Sequence, residues 1–134
     1  MSTRRWRWAG ADMEQADLES AVLEALEAHG WMAVRHVRDV IETVHGTPGE
    51  PVIRGVHDGR ALWIACRSHT GRLTETEAAW MSAYAEVPDA IVRVIRPDTL
   101  TAFRAELTRT AGRLGTEGMR GLEPELRRAD LATL

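Results

Sequence analysis

Apolar positions recur along the chain with two different periods. In "MEQADLESAVLEALEAHG" the residues Leu18, Val22, Ala25 and Leu26 share helical spacing, so an amphipathic helix is predicted, ending at Gly30 as a left-handed stop. The period then shortens. "WMAVRHVRDVIETVH" is predicted as a strand running on into irregular chain, and "GTPGEP" carries turn chemistry. Asp58-Gly59 joins "PVIRGVH" to "RALWIACRS"; such a pair supplies the left-handed residues of a tight hairpin, so two antiparallel strands are predicted there. Alternation in the second strand puts Leu62, Ile64 and Cys66 on a core face, with Trp63, Ala65 and Arg67 on the other.

Further on, Thr74 followed three residues later by Glu77 forms a capping box and opens a helix over "LTETEAAWMSAYAEV". "AIVRVIR" reads as a buried strand from its branched residues. Asp98 is expected to cap "TLTAFRAELTRTAGRLG", where Leu100, Phe103, Leu107, Ala111 and Leu114 make one stripe, and "LEPELRRADLATL" is predicted as a short helix begun at Pro124. The fold class is therefore α/β: an αβββαβ core with a mixed sheet flanked by helices, plus an extra C-terminal helix. The core domain is expected over 13–115, after a basic and aromatic tail in 1–12 and before a helical extension in 116–134 packed on the same domain.

Composition narrows the function classes. The chain has 134 residues, enough for one domain, and its formal net charge of −3 argues against a surface wholly built to hold nucleic acid. All 17 basic residues are arginine, so no step that needs a lysine amine is available. The single cysteine, Cys66, excludes an intramolecular disulfide and fits a reducing compartment. No apolar run approaches the roughly 18 residues of a membrane span, and "MSTRRWRW" lacks a hydrophobic signal core. A cytoplasmic protein without membrane contact is expected.

The stretches "DLESAV", "HGW", "GEPVI", "ALWIACR", "GRLTETEAAW" and "VIRPDTL" resemble the VRR-NUC branch of the PD-(D/E)XK nuclease superfamily. The likeness runs from Asp17 to Leu107 and is most specific where Gly71-x-Leu73-Thr74 turns into a helix bearing Trp80, followed by a strand ending in Arg96-Pro97. The resemblance implies a restriction-endonuclease-like fold and metal-dependent nuclease chemistry. That chemistry uses a first-helix acid, an aspartate, a Glu-x-Lys strand and a glutamine on the next helix. Carboxylates of this kind hold Mg²⁺ against a scissile phosphate, and the lysine orients water. Carried onto this chain, the positions fall on Asp17, Val52, Ala65, Arg67 and Glu77. Two metal ligands have become apolar. Arg67 keeps a charge able to bind phosphate but stays protonated, and the capping box already explains Glu77.

The resulting expectation is a pseudo-nuclease that needs no cofactor and acts by binding a protein partner, itself or a DNA structure. A protein partner or self-association is favoured over DNA. Should it bind DNA, the contacts are expected from Arg4, Arg5 and Arg7 in "RRWRW" and from Arg67 and Arg72. One rival reading is a weak structure-specific endonuclease of Holliday-junction-resolvase type, using Asp17 and Glu50 around one Mg²⁺; another is an oligomeric structural protein. A zinc cluster of His57, Cys66 and His69 can be drawn, but Cys66 falls on the core face. Were Asp17 to face Arg67 across the former site, an ion pair would replace the metal.

Overall fold

In the computed structural model, which describes residues 5–8, 11–35, 53–116 and 119–128, two short strands precede the first helix. Strands β1 (Arg5–Trp8) and β2 (Ala11–Glu14) pair antiparallel, with Arg5 opposite Glu14 and Trp8 opposite Ala11. Arginine and tryptophan in alternation suggested only a tail, although alternation with bulky aromatics is also what a strand requires.

Helix α1 (Gln15–Ala28) buries Leu18, Val22 and Leu26, the stripe that its spacing predicts. It stops at Gly30 with φ of 91°. The Gly30 amide donates to the Glu27 carbonyl and the Trp31 amide reaches back to the Leu26 carbonyl, the paired bonds of a left-handed helix ending. A side chain at Gly30 would also strike the His57 ring, 2.9 Å from the ideal Cβ position. Trp31 is buried and its indole N–H donates to the Gly112 carbonyl at 2.9 Å, fastening the end of α1 to the far part of the chain.

One four-stranded mixed sheet follows. Its order is β3 (Met32–Arg35), β4 (Ile53–His57), β5 (Arg60–Cys66) and β6 (Ala90–Ile95). The first three strands are antiparallel and β6 runs parallel to β5. Asp58 and Gly59, both at positive φ, make the β4–β5 turn. The parallel step requires a crossover, supplied by α2 (Glu75–Ala85). Its predicted capping box is present: the Glu77 amide donates to the Thr74 hydroxyl and the Thr74 amide to the Glu77 carboxylate.

Two further helices complete the layers. Helix α3 (Leu100–Arg109) buries Leu100, Phe103 and Leu107 beside α1, against Leu62, Ile64 and Cys66. Helix α4 (Met119–Arg128) places Leu122 on the opposite sheet face with Ala65, Leu73, Ala78, Met81 and Val92. The αβββαβ order and the core face of Leu62, Ile64 and Cys66 match expectation; Ala65, on the other face, is buried as well.

Three local expectations need correction. The N-cap position of α3 is held by Thr99, not Asp98, and no side chain bonds to the helix-end amides from it. The Thr99 hydroxyl accepts from the Arg96 amide at 2.9 Å, while the Asp98 carboxylate meets the His69 ring nitrogen at 3.0 Å. Helix α3 also ends earlier than its stripe suggests, because Ala111 and Gly112 adopt positive φ and turn the chain toward Trp31. The last helix starts at Met119 and contains Pro124 in its interior. A proline there forfeits one helical bond, so tertiary packing through Leu122 and Glu125 must hold α4 in place.

Candidate functional site

The end of β5 is where the resemblance places chemistry. Ala65 is buried in the apolar cluster under α2 and α4, packed among Leu73, Ala78, Met81, Val92 and Leu122. Two residues on, Arg67 continues the ladder, its amide donating to the Ile95 carbonyl at 3.0 Å. Its guanidinium pairs with the Glu77 carboxylate and also donates to the Cys66 carbonyl at 2.9 Å. Glu77 thus caps the α2 N-terminus and neutralises Arg67 at once. The pair is largely buried, its side chains 16 % and 10 % exposed for Arg67 and Glu77.

Asp17 does not join them. It is exposed in the first turn of α1, and that helix packs on the Leu62, Ile64 and Cys66 face, opposite Ala65. The condition for an Asp17–Arg67 pair is therefore not met, and Arg67 pairs with Glu77. The helix stripe chooses the matching apolar strand face, and alternation sends Arg67 the other way. Val52, Glu50 and Arg4 lie outside the described residues; Arg5 and Arg7 lie on β1, and Arg72 is exposed in the turn before α2.

Cys66 is fully buried, and burial, helped by the nearby Glu19 carboxylate, pushes its thiol well above the ordinary range despite the opposing effect of Arg67. A thiol held neutral in this way is a poor nucleophile and a poor ligand. His69 is engaged with Asp98. Among the described residues no group of three or more His, Cys, Asp and Glu is arranged to hold a metal.

Arg96, which the sequence marks only as the end of a strand before Pro97, is a buried tie. It is 4 % exposed and donates to the carbonyls of Ser68 and Gly71 in the loop after β5, and its other terminal nitrogen pairs with Glu125 of α4 at 2.6 Å. One guanidinium thereby joins the β6 end, the loop that leads into α2, and α4.

The second feature missed by sequence reading is a bare sheet face. On the α2 side, Met32, Val56 and Ala61 form one cross-strand row, and Val34, Arg54 and Trp63 form the next. Helices α2 and α4 cover the β5–β6 half, where Trp63 stacks on Tyr84 with ring centres 4.0 Å apart and Tyr84 stacks in turn near Trp80. No described element covers the β3–β4 half, where Met32 is 76 %, Val34 54 % and Val56 55 % exposed. A shallow cavity of about 220 Å³ lies there, lined by Met32, Val34, Arg54, Val56, Ala61 and Trp63. The alternation in "IRGVH" carried this signal, since placing Ile53 in the core forces Arg54 and Val56 outward.

No family model, curated protein or solved structure matches the chain.

Proposed function

We infer that this chain is a non-catalytic binding domain built on a nuclease-like αβββαβ plan, and that its partner is a protein. The restriction-endonuclease-like reading is supported by the sequential strand order, the parallel last strand and the helices on both faces. The observation that carries the loss of chemistry is the state of the strand end itself. Where the resembled family has its glutamate and lysine, Ala65 is walled in by apolar side chains and Arg67 is neutralised by Glu77. A phosphate-bound Mg²⁺ needs several well-placed oxygens, and β5 contributes no carboxylate. The exposed apolar sheet face supports a protein partner, because patches of this kind commonly mark protein–protein contact sites.

The test is cleavage of linear, nicked and four-way DNA by purified protein in Mg²⁺ or Mn²⁺. No cleavage is expected. Cleavage abolished by Asp17→Ala would replace the binding domain with the endonuclease. In the same reactions, tight DNA retention that weakens steeply with salt would shift the partner from protein to nucleic acid.

A further inference from the structure

We propose that the open face of β3 and β4 receives an amphipathic helix of a partner protein, whose apolar stripe covers Met32, Val34 and Val56 and whose carboxylate meets Arg54. This rests on the binding-domain reading and specifies its partner.

A sheet face is ordinarily covered by another layer, and here, among the described residues, α1 and α3 cover one face whereas α2 and α4 cover only the β5–β6 half of the other. The uncovered half is apolar and continues directly from the covered one: the row Met32–Val56–Ala61 leads to buried Ala90, and Val34–Arg54–Trp63 leads to buried Val92. Residues of the two rows are offset by two positions along each strand, about 6.5–7 Å, close to the rise of one helical turn. A helix of about three turns, roughly 16 Å, spans the patch beside Trp63.

Charge selects among occupants. Arg54 is the one charged side chain lining the cavity, and it has no ionic partner among the described residues. Strands β3, β4 and β5 contain no acidic residue at all. Two copies stacked face to face would therefore oppose Arg54 to Arg54 with no carboxylate from either sheet between them, a like-charge contact that costs binding. A phosphate backbone is an equally poor match, since it is held by several cations and this face offers one amid apolar groups. An apolar stripe with an acid at its middle satisfies both the valines and the arginine.

The experiment selects a displayed library of 20-residue helical peptides against the immobilised full chain, then compares the wild type with Arg54→Glu and Val56→Asp. Both positions are exposed, so folding of the variants should persist and is checked by thermal melting. Enriched peptides should combine an i, i+3 or i+4, i+7 apolar stripe with an Asp or Glu. Each variant should bind them at least about tenfold more weakly, and replacing the peptide acid by arginine should restore binding to Arg54→Glu. The proposal is overturned by enrichment of no helical peptide or by binding that ignores both substitutions. It is equally overturned by a dimer that Val56→Asp dissolves, or by DNA retention that Arg54→Glu abolishes. Cleavage activity would instead overturn the binding-domain reading, so the two failures are distinguishable.

Discussion

Removing the Glu77 carboxylate should be among the more damaging single changes on this face of the fold. In Glu77→Ala the Thr74 amide loses its acceptor and Arg67 loses the Glu77 carboxylate, while its bond to the Cys66 carbonyl remains. Breaking a buried pair costs about 3–5 kcal/mol and losing a cap adds about 1 kcal/mol. Because Arg67 is 16 % exposed and can shed part of its charge into water, the lower end applies to the pair, about 3 kcal/mol, so the total with the cap is about 4 kcal/mol. For a domain of this size that corresponds to a fall in Tm of roughly 16 °C. Glu77→Gln should preserve the cap, since glutamine also serves at that helix position, and lose only the charge. The double variant Arg67→Met, Glu77→Gln removes both charges together and should lie within about 1 kcal/mol of wild type. Urea unfolding of these proteins together with the Arg67→Met single variant, with m unchanged, closes the cycle and measures the coupling directly. A cost below about 1 kcal/mol for Glu77→Ala, or a double variant as unstable as the single one, would refute the view that mutual charge compensation holds this pair in the fold.

Two more outcomes follow from buried polar groups. Arg96→Met should release α4, because Glu125 and the Ser68 and Gly71 carbonyls lose their donor together; the expected cost is about 3 kcal/mol, with amide exchange in 119–128 accelerating before that of β5. Unchanged protection of α4 would deny Arg96 that role. Cys66 should resist thiol reagents in the folded protein, since burial raises its thiol above the ordinary range and the neutral form persists through neutral pH. Its raised folded-state value favours the protonated thiol, so any stability it lends is complete below the unfolded thiol range and is lost as pH rises through the folded one. Rapid labelling at neutral pH without unfolding would contradict this.

What could be read from the sequence was governed by local rules. Gly30, the Asp58-Gly59 turn, the Thr74–Glu77 box and the two faces of β5 each depend on a few adjacent residues, and each appears as its chemistry requires. Features set by distant partners were harder to read. Arg96 gains its role from residues 68, 71 and 125, and α4 starts before Pro124 because packing outweighs the missing amide. The substitution of Glu77 for Asp17 as the partner of Arg67 was within reach, since the Leu18, Val22 and Leu26 stripe could only pair with the apolar face of β5. The bare sheet face needed the β3–β4 register, which turns two separate alternations into one patch.

The binding-domain proposal requires that the end of β5 hold no divalent ion. Titrating Mn²⁺ into the isotopically labelled protein while following amide line widths tests it without relying on a chosen substrate. No selective broadening is expected at Ala65, Arg67, Glu77 or Asp17 as the ion reaches millimolar concentration. Broadening that centres on these residues, and that Asp17→Ala removes, would contradict it.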